Sequence, residues 1–322
     1  MTRTPADSES QPTPCESAHT RREVKVLPAL ARQLTPKMRV FRSVPQRDVR
    51  MIGPWCFLDH FGPVAPNDYQ QFDVPPHPHI GLQTITWLLS GQLLHQDSLG
   101  YEQALRANEL NLMTAGNGIS HAEVAAQQVT DPLHGLQLWA ALPAEAETTA
   151  PCFDHYKNLP SFAVGESQAT LIMGEYTAGE RKYSSPARQF HPIFAMQLKT
   201  PRVAVSELRL NEQHEYGLYV VEGRLDALSK TVERHELLLL GAGRSTVTLE
   251  LAADTIVLVL GGEAFARPVH MWWNFVSSEP ERIRLAQQEW NAGHERFGRV
   301  QRYNGERLLA PDLPAKSKTT DE

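Results

Sequence analysis

His77-Pro78-His79 and His121-Ala122-Glu123 each place two metal-capable side chains at i and i+2. On an extended strand, alternate residues point to the same side. Each pattern can therefore aim two ligands into one cavity. Three imidazoles and one carboxylate suit a divalent transition metal such as iron, with coordination positions left open for small-molecule chemistry.

The neighbouring residues must hold these pairs in place. Asp73-Val74-Pro75-Pro76 leads into the first pair, and Gln83 to Leu89 reads as a strand. Ser90-Gly91 reads as a turn and Gln92 to His95 as a returning strand, which predicts a hairpin. Gly116 and Gly118 precede the second pair and permit a tight turn with positive φ. Trp87 shares a strand face with Gln83 and Ile85, as pocket wall or barrel core. His95 and Asp97 also share a face. They read either as partners that orient a ligand imidazole or as a barrel-surface pair. His60 reads as a structural hydrogen-bonding histidine.

A chain of 322 residues can bury a large core, and two domains are expected. Hydrophobic content of 41% and charged content of 21% fit a soluble globular protein. A net charge of −6 argues against nonspecific nucleic-acid binding, which wants a basic face. Cys15, Cys56 and Cys152 are too scattered for a disulfide framework or a zinc site, so a reducing, cytoplasmic setting fits. No run of eighteen apolar residues is present and the opening residues Met1 to Pro5 form no apolar signal core, so neither a membrane span nor secretion is expected.

Residues 1–24 are rich in Ser, Thr, Pro and Glu and read as a disordered tail, as does 312–322. Between them, short strand-like runs separated by Gly, Pro, Asn and Asp point to barrels or sandwiches. One segment differs. Ser278 and Glu281 form a capping-box pattern around Pro280. Ile283, Ala286 and Trp290 recur at helical spacing, and Gly293 can end the helix. Trp272-Trp273 reads as a core or inter-barrel contact.

An internal repeat organises the rest. Leu89-Ser90-Gly91-Gln92-Leu93 resembles Val221-Glu222-Gly223-Arg224-Leu225, and Gly116 is echoed by Gly241 and Gly243. Two copies of one small β-barrel explain this. The offsets of His77 and His79 fall on Arg209 and Asn211 in the second copy, and that of His121 near Thr246. One metal per chain is therefore expected.

Phe57-Leu58-Asp59-His60-Phe61-Gly62-Pro63, His77-Pro78-His79-Ile80-Gly81-Leu82, His95-Gln96-Asp97-Ser98-Leu99-Gly100 and Met113 to Glu123 resemble the motifs of the pirin family, in the bicupin group of the cupin superfamily. The strong match covers about residues 50–140. The resemblance implies an all-β fold of two head-to-tail cupin (jelly-roll) barrels. The corresponding division is 25–150 for the metal-binding barrel, 151–275 for a barrel without metal, and 276–311 for a C-terminal helical segment. The implied ligands are His77, His79, His121 and Glu123, and the implied metal is Fe(2+). Many cupins carry a glutamate where this chain has Gln83, so the carboxylate ligand is expected at Glu123.

Some bacterial relatives resemble quercetin 2,3-dioxygenases, which open a flavonol ring with O2 and release carbon monoxide. On that reading the metal acidifies the flavonol 3-hydroxyl and Glu123 accepts its proton as general base. Others are described as transcriptional co-regulators or binders of metabolic enzymes. That alternative makes the chain a redox-sensing interaction protein with a protein partner.

Overall fold

The computed structural model describes residues 13–15, 24–35, 38–69, 73–126 and 130–313. Within the first tail, Thr13–Cys15 pairs with Val269–Trp272. Nearly all the rest of both sequence-expected tails lies outside the described residues.

Alternation along the strands decides which faces pack. In Leu82–Ser90, Thr84 and Thr86 point into the first barrel, while Ile85 and Trp87 point out of it. The outward set joins Leu58, Leu136 and Leu138 against Tyr219, Val221 and Leu258 of the second barrel. Two seven-stranded sheets thus share one apolar core between the barrels. Trp87 crosses that core and donates its indole N–H to Gln197 Oε1 at 2.9 Å. It is inter-barrel core, not pocket wall.

Each barrel closes with a second, four-stranded sheet. In the first barrel its order is Asp73–His79, Ile119–Ala125, Gln92–Asp97, Glu102–Arg106. In the second it is Ala204–Arg209, Thr246–Leu251, Arg224–Ala227, Lys230–Glu233. The two orders correspond strand for strand, as the repeat requires. Leu82–Ser90 and Gln92–Asp97 belong to different sheets and do not pair. The expected hairpin is therefore a jelly-roll corner. Gly91, at φ +79, turns the chain from one sheet to the other, and a Cβ there would lie 2.8 Å from Leu133 Cα.

Strands also cross between barrels. Lys25–Pro28 pairs with Glu236–Gly241 of the second barrel, and Cys152–Tyr156 pairs with Leu110–Thr114 of the first. The helix spans Pro280–Ala292, with Pro280 in its first turn and Gly293 left-handed at its end. Ser278 does not cap it, so the capping box is absent. Glu279 is the N-cap residue, and the Ser278 N–H donates to buried Glu147. Ile283, Ala286 and Trp290 pack on Ile80, Trp272 and Phe275. This anchors the hairpin of Val269–Trp272 and Phe275–Ser277 beside the first barrel's histidines.

Candidate metal centre

His77 and His79 sit on Asp73–His79, an edge strand of the four-stranded sheet. His121 lies directly opposite His77 on Ile119–Ala125. The register then slips, so that Glu123 faces Val74. Pro75 and Pro76 sit at the slip. They have no N–H for the ladder, which confines them to edges and bulges. Glu123 faces His95 on its other side, and His121 faces Asp97. One sheet face therefore carries His77, His79, His121, Glu123, His95 and Asp97.

The three imidazoles each offer one donor atom, all within 4.8 Å of one another. Their exposures are 7%, 1% and 2%. Burial lowers their basicity: His77 falls to about 4, and His79 and His121 lie well below the ordinary histidine value. They stand as neutral imidazoles, the form that ligates metal.

Their partners fix the tautomers. His77 Nδ1–H donates to the carbonyl of Pro75 at 2.9 Å, and His79 Nδ1–H to that of Asn274 at 3.0 Å. A carbonyl only accepts, so Nε2 of each ring is bare. Nε2 of His121 is buried with no hydrogen-bond partner among the described residues. An orphaned buried nitrogen is costly unless something binds it. The donor set fits a divalent transition metal.

Glu123 lies outside the 4.8 Å set and lines the same cavity. Its Oε1 accepts from Thr86 Oγ1 at 3.3 Å. Desolvation raises its pKa, with His95 and Thr86 opposing. A buried carboxylate that lines the cavity beside the imidazoles is placed to join a metal or to take a proton from a ligand.

Residues 37–140 match the Pirin family model, and 195–298 match the pirin C-terminal cupin domain. The chain belongs to the pirin family. This pirin is 41% identical over 288 residues to a Pseudomonas aeruginosa protein provisionally named quercetin 2,3-dioxygenase, covering 89% of the chain and 90% of that protein. A pirin-like protein of Caulobacter vibrioides is 36% identical over 261 residues, covering 79% and 88%. The crystal structure of a quercetin 2,3-dioxygenase from Acinetobacter baumannii matches with a TM-score of 0.86 at 36% identity, covering 92% of this chain and 97% of that one. Two cupin units and an all-β fold are thereby established. No helix of the described residues is long and apolar enough to cross a membrane.

The remaining sequence candidates in this pirin divide cleanly. Gln83 does not line the cavity. Its amide donates to Thr114 Oγ1 at 3.0 Å and to the Arg188 carbonyl at 3.2 Å, on the outer face of its strand. His95 and Asp97 are buried inside the barrel, not on its surface. His60 makes structural hydrogen bonds: Nε2 lies 2.7 Å from Nε2 of His134 in its own barrel, and Nδ1 lies 3.1 Å from Tyr219 Oη of the second.

The opposite wall of the cavity carries no ligand-like spacing in the sequence. Phe57 and Trp139 stack there at 4.0 Å, and Arg42 grips Asp59 through two 2.8 Å bonds. Trp273, at φ +52, and Asn274 reach in from the C-terminal hairpin. Pairing with a neighbouring segment leaves no local spacing to detect. A backbone carbonyl such as that of Asn274 leaves no residue signal at all.

Proposed function

We propose that this pirin is a metal-dependent dioxygenase of the quercetin 2,3-dioxygenase type, with His77, His79, His121 and Glu123 holding one Fe(2+). The observation that carries the reading is the convergence of three neutral, buried imidazoles on an aromatic-walled cavity with a carboxylate beside them. The names of the Pseudomonas and Acinetobacter relatives agree with it. The cavity measures about 220 Å³, far more than the ~30 Å³ share of one water, so an organic ligand fits. Free Cys56 and Cys152 suit a cytoplasmic setting.

When bound, the metal would supply Lewis-acid polarisation of a flavonol hydroxyl, and the ionised flavonol would supply the electrons that dioxygen accepts. The chain's own residues do the rest. The Phe57–Trp139 stack and Trp273 hold a flat aromatic substrate between apolar faces. Trp272 and Leu308 limit water at the cavity. The Glu123 carboxylate takes the substrate's hydroxyl proton, while Thr86 Oγ1 steadies Oε1.

The test loads purified protein with Fe(2+) anaerobically, adds quercetin, admits oxygen and follows flavonol absorbance and carbon monoxide. Metal-dependent quercetin loss with carbon monoxide release, abolished in His121→Ala, supports the assignment. Metal-replete protein that leaves quercetin untouched contradicts it and favours either the interaction role or a cupin enzyme with another small substrate.

A further inference from the structure

His121 differs from its two neighbours in what holds its far nitrogen. Backbone carbonyls hold those of His77 and His79. Nδ1 of His121 instead lies 3.4 Å from Nδ1 of His95. Nε2 of His95 lies 3.0 Å from Oδ2 of Asp97. Oδ1 of Asp97 accepts the backbone N–H of Leu99 at 2.9 Å and of Tyr101 at 3.1 Å. Phe153 stacks on the His95 ring at 4.3 Å and 13°, which fixes its plane.

The proton positions follow from these partners. A carboxylate only accepts, so His95 carries its proton on Nε2. In the neutral ring, Nδ1 of His95 is then bare. A neutral His95 accepts there from Nδ1 of His121, which leaves Nε2 of His121 bare and facing the other two imidazoles.

We propose that Asp97 and His95 are a positioning pair that sets the tautomer of His121 and thereby prepares its Nε2 to bind metal. The proposal rests on the metal-site reading above. It adds two residues that touch neither metal nor substrate. Outer partners of this kind orient ligand histidines and typically alter metal affinity ~10–100-fold when removed.

Asp97→Asn is the sharpest probe, because it changes no volume. The amide oxygen keeps the two loop N–H bonds only if its NH2 turns toward His95. His95 must then accept at Nε2 and carry its proton on Nδ1. That proton opposes the one on Nδ1 of His121, which shifts to Nε2 and blocks the donor atom. His95→Leu removes the acceptor outright. His95→Asn returns an acceptor oxygen near the position of Nδ1.

Two measurements decide it. Nitrogen-15 NMR of metal-free, histidine-labelled protein reads each tautomer directly, with His121 assigned by its loss in His121→Ala. The wild type should show His121 protonated at Nδ1, and Asp97→Asn should move that proton to Nε2. A wild-type His121 protonated at Nε2, or no change in Asp97→Asn, overturns the proposal. The second measurement is Co(2+) affinity and its visible absorption. Asp97→Asn and His95→Leu should bind ~10–100-fold more weakly, with His95→Asn recovering part of the loss. If His121→Ala loses cobalt while Asp97→Asn and His95→Leu bind like wild type, the positioning role fails alone. If wild type binds no cobalt, the metal-site reading fails, and the tautomer result still judges the pair.

Discussion

Nδ1 of His79 donates to the carbonyl of Asn274, 195 residues later in the chain, at 3.0 Å. The C-terminal hairpin therefore helps to orient a residue of the first barrel's triad. Phe275 pins that hairpin. It is fully buried, and its ring packs near Trp272, Trp273 and Phe297. Phe275→Ala should cost about 3–5 kcal/mol in denaturant unfolding. It should also weaken metal retention, because the acceptor for His79 moves. Full metal retention at reduced stability would separate the hairpin from the site.

Gly81 follows the triad's edge strand at φ +66, and a Cβ there would lie 2.0 Å from the Val276 carbonyl oxygen. Gly81→Ala combines a left-handed backbone strain of ~1–3 kcal/mol with a clash against the hairpin. The expected outcome is a loss of at least ~2 kcal/mol in stability. Gly100→Ala is the control. Its φ is +96, but a Cβ there meets nothing within 4 Å among the described residues, so it carries the strain without the clash. Equal losses in the two variants would show that the close approach at Gly81 is relieved cheaply.

Glu123→Gln separates binding from chemistry. The amide keeps the hydrogen bond to Thr86 and the shape of the wall, and it cannot take up a proton at neutral pH. Metal content measured by mass spectrometry should fall modestly, by ~10-fold in affinity or less if the amide oxygen still reaches the metal. Turnover by the metal-loaded variant should fall ~10²–10⁴-fold, the usual contribution of a general base. Turnover that survives in metal-replete Glu123→Gln would remove Glu123 from proton transfer.

His60, His134 and His235 form a hydrogen-bonded group between the barrels, faced by Tyr219, Glu222 and Arg234. Burial lowers all three, His134 and His235 to about 4 and His60 well below its ordinary value. The unfolded chain, with histidines near ~6.5, then binds more protons than the native one as pH falls below that value. Stability is complete above pH ~6.5 and declines toward pH ~4. Urea midpoints measured across this window should drop with acidity, and less steeply in His134→Gln. An unchanged slope in that variant would exclude His134 as a contributor.

The fold was legible where local pattern carries it. The Gly91 and Gly223 turns, at φ +79 and +75, marked the two copies of the barrel, and Ile283, Ala286 and Trp290 marked the helix. The three histidines were legible because strand periodicity puts i and i+2 on one face. What escaped depends on long-range pairing. Gly91 turns between sheets, which two flanking strand-like runs do not distinguish from a hairpin. Trp87 faces the second barrel because of how the sheets stack. The Ser278–Glu281 pattern was outcompeted: Glu147, 131 residues earlier, takes the Ser278 N–H. Asn274 acts through its carbonyl, which any residue would supply.

The most direct test of the account is anomalous diffraction from crystals of Fe(2+)-loaded protein, recorded on both sides of the iron absorption edge. One anomalous peak per chain is expected, within bonding distance of Nε2 of His77, His79 and His121 and within reach of Glu123. A peak held by other residues, or none at the triad in protein shown to contain iron, would contradict it.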